Sequence, residues 1–572
     1  MKDTACSLPG DLARELTERL DRWDAQSGSR RLWRREAGLW SGKDEGRWLG
    51  WLDIVERQLA DLGPLRAIAE DARSGAFRHV LLLGMGGSSL CPEVLRETFG
   101  TTPGYPELLV LDSTDPVQVQ DLGGRLDPRT SLFVVASKSG STLEPEILRA
   151  YFFHTAQQAL GTAAGRHFIA ITDPGSQLEK VAQRDGYRRI VHGVPEIGGR
   201  FSALSNFGMV PAALAGLDFE RMLQRAQVMV ERCGAEVPAR ESPGVLLGSL
   251  VGAAAARGRD KLTLVISPAL YDLGAWLEQL VAESTGKQGR AVIPVDRERL
   301  GPPDAYGPDR LFVYVRLDSN ADAAQDEGVV ALEMAGLPLA RIHVADAHEL
   351  GAEFFRWEIA TAVAGSVLGI NPFDQPDVEA AKVAARKVTA EYERTGALQA
   401  ETALAEEAGL RVFTDERNAS ELGWASGGTA TVEALLRAHL QRLRAGDYFA
   451  LLAFVPMNAR HEALLQALRH RVRDRRRVAT CLGFGPRFLH STGQAYKGGP
   501  GSGVFLQVTC DDAQDLPVPG QKLSFGVVKA AQARGDFAVL AERGRRALRV
   551  HLGPDVAAGL AALDTLVQRA LS

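Results

Sequence analysis

Short apolar runs alternate with helical patterns over most of the chain. A run of four to eight apolar residues bounded by turn residues is typical of a strand buried on both faces of a parallel sheet. Such runs predict strands at 79–83, 132–136, 167–172, 189–191, 262–266, 310–315, 341–344, 449–455, 478–483 and 504–508. Apolar positions at helical spacing predict helices at 92–99, 178–184, 207–216, 245–256, 354–368 and 462–475. This alternation predicts an α/β fold with doubly wound parallel sheets.

The same pattern divides the chain into four parts. Residues 1–75 are predicted to form a polar helical segment. Residues 76–243 and 244–400 are each predicted to form a doubly wound domain. Residues 401–572 are predicted to hold a mostly helical linker, over 401–440, and a smaller third α/β domain. A length of 572 residues agrees with about three domains.

Composition excludes several classes of protein. With 66 basic and 71 acidic side chains, the formal net charge is -5, unlike the basic surface of a nucleic-acid-binding protein. No apolar run reaches the roughly twenty residues of a membrane span. The cysteines are odd in number and scattered, so we expect no disulfide framework, no metal site and a cytoplasmic location; they are Cys6, Cys91, Cys233, Cys481 and Cys510.

Two turns rich in glycine or hydroxyl side chains follow predicted strands. The segment 84–89 carries Gly86, Gly87 and Ser88, and the segment 137–142 carries four hydroxyls and a lysine. A glycine turn alone is a weak signal, because tight turns use glycine for steric reasons. However, turns at the carboxyl ends of neighbouring strands converge where doubly wound sheets bind ligands, and amides at a helix N-terminus bind anions. The two turns together predict a phosphate site.

Glu283 is a candidate general base. It lies at the end of an apolar helical pattern, shortly before Gly286, and Gln279 lies one helical turn earlier on the same face. Taken alone, the local sequence favours the alternative that Glu283 is only a charge at the start of the next loop. Arg200, in a glycine-flanked loop, is open to the same two interpretations, since a permanent cation is also what an oxyanion requires.

Five short strings together resemble the glucose-6-phosphate isomerase family, and most closely the isomerase half of fused transaldolase–glucose-6-phosphate isomerase proteins. They are Gly84–Ser88, Ser137–Glu144, Gly199–Ser205, Leu277–Lys287 and His490–Gln494, and the resemblance covers roughly residues 75–560. It implies that the two doubly wound domains are sugar-phosphate-binding SIS domains.

The resemblance also implies individual roles. The phosphate would be held by Ser88, Ser137, Ser139 and Thr142, in turns that include Gly86 and Gly87. Gln279 would contact substrate, Glu283 would be the base and Arg200 would stabilise the enediolate. Lys382 and His490 would assist ring opening.

The histidine string stands in an unusual place, because it follows Lys382 instead of lying between Glu283 and Lys382. In commoner members of the family this histidine arrives from a neighbouring subunit. We hypothesise that the third domain folds back so that His490 reaches the cleft of its own chain. A monomer would then carry a complete site, although the sequence leaves a homodimer open.

The resemblance implies reversible isomerisation of glucose 6-phosphate and fructose 6-phosphate, with a small sugar phosphate as the partner and no metal or other cofactor. Another substrate such as mannose 6-phosphate is an alternative. A noncatalytic sugar-phosphate-binding module is a second alternative, because SIS domains also serve in binding. The set Glu283, Arg200, Lys382 and His490 favours an enzyme, since a binding module needs no proton-transfer group.

Overall fold

The computed structural model describes residues 4–425, 427–428 and 431–572. The strands are β1 Thr4–Ser7, β2 His79–Gly84, β3 Glu107–Leu111, β4 Ser131–Ala136, β5 Phe168–Thr172, β6 Arg189–His192, β7 Lys261–Ile266, β8 Ile293–Val295, β9 Arg310–Leu317, β10 Leu339–Val344, β11 Ala405–Glu407, β12 Leu410–Phe413, β13 Tyr448–Phe454, β14 Ala479–Phe484, β15 Gly503–Cys510 and β16 Arg546–Leu552.

The helices are α1 Gly10–Ala25, α2 Gly28–Trp33, α3 Ile54–Ala60, α4 Gly63–Ser74, α5 Leu90–Phe99, α6 Pro116–Arg125, α7 Leu143–Leu160, α8 Gln177–Arg184, α9 Asn206–Leu214, α10 Phe219–Arg232, α11 Pro243–Ala256, α12 Leu273–Thr285, α13 Ala323–Met334, α14 Leu350–Leu368, α15 Pro376–Thr395, α16 Glu416–Ala425, α17 Val432–Gln441, α18 Ala459–Arg476, α19 Gly493–Gly498, α20 Phe525–Glu542 and α21 Val556–Leu571. Short 3-10 turns connect several of them.

The strands form three sheets, which confirms the predicted α/β class. The first sheet has the order β3-β2-β4-β5-β6 and is parallel throughout. The second has the order β1-β10-β9-β7-β8, and the third has the order β11-β12-β16-β15-β13-β14. Among the described strands, the antiparallel pairings all involve β1, β11 or β12. The domain boundaries remain predictions.

Two segments predicted as helical also contain strands. Residues Thr4–Ser7 pair with β10 at the edge of the second sheet, and four residues are too few to show a strand period. In the predicted linker, β11 and β12 form a hairpin whose turn residues, Ala408 and Gly409, both have positive φ. Such a two-residue turn matches the twist of paired strands. The hairpin then extends the third sheet through β16.

The order of the first sheet creates the crevice predicted from its turns. The chain leaves β2 toward β3 on one side and returns to β4 on the other, so β2 and β4 lie side by side at the point where the winding reverses. Their register pairs Gly84 with Ala136, the last residues of the two strands. The glycine turn and the hydroxyl turn therefore start next to each other.

The third sheet is docked on both other sheets through shared apolar cores. Ile293 and Val295 of β8 belong to the same buried cluster as Tyr448, Ala450 and Phe505 of the third sheet. A second cluster joins first-sheet residues with residues 518–528. The N-terminal helices share a core with the first and second sheets. The C-terminal region thus packs against elements of both the first and the second sheet. Among the described residues, no helix has the length and apolar character needed to cross a membrane.

Candidate active site

All of the predicted site residues line one cavity of about 300 Å³ at the carboxyl edge of the first sheet. The first sheet and its loops, the second sheet's helix α12, helix α15 and the C-terminal region all contribute side chains to it. The predicted residues on its wall are Gly86, Gly87, Ser88, Ser137, Ser139, Thr142, Arg200, Gln279, Glu283, Lys382 and His490. The geometry brings them together within one chain, while their roles remain predictions.

The glycine turn is shaped by contacts with other loops. Gly86 has φ +54°, and a Cβ there would lie 2.7 Å from Nε2 of Gln279. A Cβ on Gly87 would lie only 2.0 Å from the carbonyl oxygen of Gly199. Side chains at these positions would therefore push the glycine turn away from helix α12, which carries Gln279, and from the loop that carries Arg200. The glycines at this turn are therefore explained by close packing, and the anion-binding role stays a prediction.

The second turn leads into the N-terminus of α7. Ser137 is buried and its hydroxyl donates to Oγ1 of Thr142 at 3.4 Å, whereas Ser139 is exposed to the cavity. Thr142 precedes the first residue of α7 and its side chain makes no capping hydrogen bond. The helix N-terminus carries unpaired amides and a partial positive charge. Hydroxyl side chains and helix amides therefore lie together on this side of the cavity, an arrangement that can bind an anion.

Lys138 also lines the cavity, but it is already engaged. Its ammonium is paired with Asp173 and donates to the carbonyl oxygens of Val194 and Pro195, each at 3.2 Å. These bonds tie the hydroxyl turn to the loop after β6.

Helix α12 places Gln279 and Glu283 one turn apart on the cavity side, as predicted. The amide Nε2 of Gln279 donates to Oε2 of Glu283 at 3.0 Å and to the carbonyl oxygen of His490 at 2.8 Å. The remaining oxygen, Oε1 of Glu283, lies 3.4 Å from Nη1 of Arg200. The residue Glu283 is 7% exposed. The carboxylate is thus held at the cavity wall by a neutral donor on one side and a cation on the other.

Arg200 is buried at the base of the cavity and fixed by several acceptors. It donates to Oγ of Ser284 at 2.7 Å, to Oε1 of Gln375 at 3.0 Å and to the carbonyl oxygen of Pro372 at 2.6 Å. Burial lowers the pKa of Arg200, while the charges of Glu283 and Asp374 oppose that shift. A guanidinium anchored this way acts as a preorganised positive charge.

Lys287 supports the same loop and was missed at the sequence level. Its Nζ donates to the carbonyl oxygen of Asn371 at 2.8 Å and to Oδ1 of Asp374 at 2.7 Å. Burial, together with the charge of Arg200, lowers the pKa of Lys287 to about 8, although Asp374 and Glu283 favour its charged form. The lysine follows a turn signal, so its local sequence resembles that of a solvated charge.

His490 reaches the cavity from the C-terminal region. It ends the 3-10 turn Arg487–His490 after β14, and its Nε2 lies 2.8 Å from Oε1 of Glu144. Nε2 of Gln532 donates to the same carboxylate oxygen at 2.7 Å, and Oγ1 of Thr114 donates to Oε1 of Gln532 at 2.7 Å. These bonds connect the first sheet with α20.

The charge state of Glu144 fixes the direction of its bond to the imidazole. Burial raises the pKa of Glu144, but the charge and hydrogen bond of His490 outweigh it, and the net shift is downward. An ionised carboxylate only accepts hydrogen bonds, so Nε2 of His490 is the donor. In the neutral imidazole, Nδ1 then remains as the acceptor. Sequence reasoning missed this role of Glu144, because an acid in the first turn of a helix usually just complements the helix dipole.

Lys382 lies at the rim on α15. Its side chain is 41% exposed, and its Nζ is 3.9 Å from Glu379. Its charge also contributes to the lowered pKa of Glu144. The ammonium is therefore near the His490 side of the cavity and open to solvent.

A family model and several known proteins match parts of this chain. The model of the family Phosphoglucose isomerase matches residues 63–293. The glucose-6-phosphate isomerase of Thermosynechococcus vestitus is 32% identical over 417 residues, covering 61% of this chain and 77% of that protein. The glucose-6-phosphate isomerase of Thermus thermophilus is 32% identical over 387 residues, covering 60% of this chain and 91% of that protein.

Solved structures agree with these matches. A hypothetical protein from Thermus thermophilus has a TM-score of 0.58 and 27% identity, covering 68% of this chain and all of that one. A glucose-6-phosphate isomerase from Chlamydia trachomatis has a TM-score of 0.51 and 22% identity, covering 59% of this chain and 73% of that one, which supports the fold alone. By its sequence relatives and family match, the chain belongs to the phosphoglucose isomerase family.

Proposed function

We propose that the chain catalyses the reversible interconversion of glucose 6-phosphate and fructose 6-phosphate. The observation that carries the proposal is the convergence of Glu283, Arg200 and His490 on a cavity that also holds the two anion-binding turns. The relatives named above as glucose-6-phosphate isomerases support the choice of substrate.

The phosphate binds at the switch point of the first sheet. Hydroxyls of Ser88, Ser137, Ser139 and Thr142 and the amides at the N-terminus of α7 donate to its oxygens. Gly86 and Gly87 keep this end of the cavity open to the anion while allowing the loops behind them to pack closely. This anchor places the sugar between α12 and His490.

His490 and Lys382 then assist ring opening. Nδ1 of His490 accepts the proton of the anomeric hydroxyl, while the ammonium of Lys382 donates to the ring oxygen as the bond between C1 and that oxygen breaks. Glu144 holds the imidazole through Nε2 and stabilises the positive charge it gains.

Glu283 transfers the proton between C2 and C1. Its carboxylate removes the proton from C2 of the open aldose, and the resulting enediolate carries negative charge that Arg200 stabilises. The proton of the C2 hydroxyl moves to the C1 oxygen and the proton held by Glu283 returns to C1, so that C1 is reduced as C2 is oxidised and protons and electrons balance within the sugar. Gln279 orients Glu283 through the bond to Oε2.

A monomer carries the complete site in this proposal, because His490 reaches the cavity of its own chain. Specific activity should then be constant on dilution through a range in which mass photometry detects only monomers. Activity that falls with dissociation of a dimer would contradict this part of the proposal.

A coupled assay tests the function and its alternatives. Fructose 6-phosphate is supplied, and glucose 6-phosphate formation is followed through NADP-dependent oxidation by glucose-6-phosphate dehydrogenase. A parallel reaction supplied with mannose 6-phosphate tests the other C2 epimer. Turnover of the first substrate supports the proposal. Calorimetric binding of both sugar phosphates without turnover would instead identify a binding module.

A further inference from the structure

The third sheet contains a second cavity, of about 350 Å³, that shares no lining residue with the first. It lies at the carboxyl ends of β13, β15 and β16, where Phe454, Thr509, Cys510 and His551 form part of its wall. From β13 the chain winds to β14 on one side and then returns to β15 on the other. Such a reversal of winding is where open α/β sheets bind ligands.

One end of this cavity is built around a pair of guanidinium groups. Arg549 is buried between two rings, with Cζ 4.6 Å from the centroid of Phe413 and 5.6 Å from that of Phe537. Its Nη2 donates to Oε1 of Glu401 at 2.6 Å, and Nε of Arg534 lies 3.0 Å from Oε2 of the same carboxylate. Two positive charges therefore share one negative charge.

The shared carboxylate lies on an irregular connection. Glu401 belongs to residues 396–404, which link α15 to β11 without forming a helix or strand, and its side chain is 36% exposed. A phosphate offers the same two-oxygen geometry to guanidinium groups with a larger charge. Glu401 thus occupies the place that a ligand's anionic group would take.

Another part of the cavity wall carries hydrogen-bond acceptors. Asp511 and Asp512 follow β15, and Oδ1 of Asp511 is 3.0 Å from Nε2 of His551. Lys529 pairs with Asp512 and with Oδ2 of Asp115, the latter at 2.8 Å. Carboxylates just beyond a strand are suited to accept hydrogen bonds from sugar hydroxyls.

We propose that this cavity is a second binding site for a small phosphorylated sugar or polyol, whose phosphate displaces the Glu401 carboxylate from Arg534 and Arg549. The hydroxyls of the ligand bond to Asp511 and Asp512. The cavity volume lies within the range of small-ligand sites. Its wall includes Lys529 and Arg534 of α20, the helix whose Gln532 bonds to Glu144.

Calorimetry with inorganic phosphate tests the part of the cavity formed by Arg534 and Arg549. The full chain carrying Ser139→Ala and Thr142→Ala is the background, because these changes are expected to weaken phosphate binding in the first cavity. Adding Arg534→Gln should weaken the remaining phosphate binding about tenfold to a hundredfold, the loss of a hydrogen bond to a charged group. Adding Glu401→Gln should instead strengthen it, because the competing charge is removed.

Glu391→Gln is the matched control. It removes the exposed ion pair between Glu391 and Arg394 on α15, neither of which lines the cavity, and should not change phosphate affinity. Ribose 5-phosphate should bind the background more tightly than phosphate, and Asp511→Asn should remove that advantage. Thermal unfolding of each variant checks its fold. If phosphate affinity is the same with Arg534→Gln and with Glu401→Gln, the second site is refuted, whereas the isomerase assay is unaffected by that result.

Discussion

Replacing Glu144 by glutamine should impair ring opening while leaving proton transfer between carbons intact. The substitution keeps the size of the side chain and leaves an oxygen for Nε2 of His490, but removes the negative charge 2.8 Å away. His490 must carry positive charge after it accepts the anomeric proton, so the lost charge matters most in that step.

The expected loss of activity follows from the burial of the His490–Glu144 pair. The side chains of His490 and Glu144 are only 11% and 6% exposed, so water cannot replace the missing charge efficiently. A hydrogen bond to a charged group contributes about 1.5–3 kcal/mol. If the transition state loses that much stabilisation, kcat/KM falls about tenfold to a hundredfold.

The assay compares a cyclic with an open-chain substrate. Glucose 6-phosphate must be opened, whereas a tetrose 4-phosphate has its C4 oxygen esterified and cannot close a furanose ring. Glu144→Gln should lower kcat/KM for glucose 6-phosphate and leave hydrogen exchange at C2 of the tetrose phosphate, followed by NMR in deuterated water, within about twofold of wild type.

A matched control is Glu146→Gln, which removes an exposed carboxylate from the same first turn of α7. It should change neither reaction. Equal losses of both reactions with Glu144→Gln would refute a role confined to ring opening. Unchanged turnover of glucose 6-phosphate would remove the His490–Glu144 pair from the mechanism altogether.

Three further changes test separate parts of the site. Gly87→Ala would place Cβ 2.0 Å from a backbone oxygen and should lower the free energy of unfolding by about 1–3 kcal/mol in denaturant titration. Gly198→Ala should be tolerated, because among the described residues no atom beyond its chain neighbours lies within 4 Å of the new Cβ. Ser139→Ala with Thr142→Ala should weaken calorimetric binding of phosphate-bearing ligands with little change in kcat; unchanged affinity would place the anion elsewhere. The pKa of Lys287 is lowered from 10.5 to about 8, so between these pH values the unfolded chain binds more protons than the folded chain. The free energy of unfolding of the wild type should therefore rise with pH over this range by up to about 1.4 kcal/mol per pH unit more than that of Lys287→Met. Parallel pH profiles of the two proteins would contradict this.

Features that depend on neighbouring residues in sequence were predictable. The spacing of Gln279 and Glu283 places both on one face of a helix, and the hydrogen bond between them shows that this inference was correct. The two turns could be placed together because buried parallel strands leave a clear apolar pattern and their carboxyl ends meet at one edge of a sheet.

Contacts between distant segments could not be predicted from local patterns. His490 and Glu144 are separated by 346 positions, and Gln532 and Glu144 by 388. Nothing in the local sequence of α20 distinguishes Gln532 from a helix-surface residue. His490 was placed in the site only because its string resembles that of the family.

The hairpin formed by β11 and β12 was missed for a different reason. Its strands are three and four residues long, so the alternation of Leu410 and Val412 is too short to stand out beside the acidic residues of β11. The first turn residue is Ala408, and an alanine is not a typical signal for the positive φ that it adopts. These two side chains are buried by packing in the third sheet, a tertiary effect that local propensity does not contain.

The central claim is that Glu283 is the base that moves the proton between C2 and C1. The most direct measurement is exchange of the C2 hydrogen of glucose 6-phosphate in deuterated water, compared between wild type and Glu283→Gln, with calorimetric affinity for sugar phosphate measured on the same samples. General base catalysis contributes about 10²–10⁴-fold, so exchange and isomerisation should both fall by at least about a hundredfold while affinity stays within a few fold. Exchange and turnover near the wild-type rate in Glu283→Gln would contradict the assignment of the base.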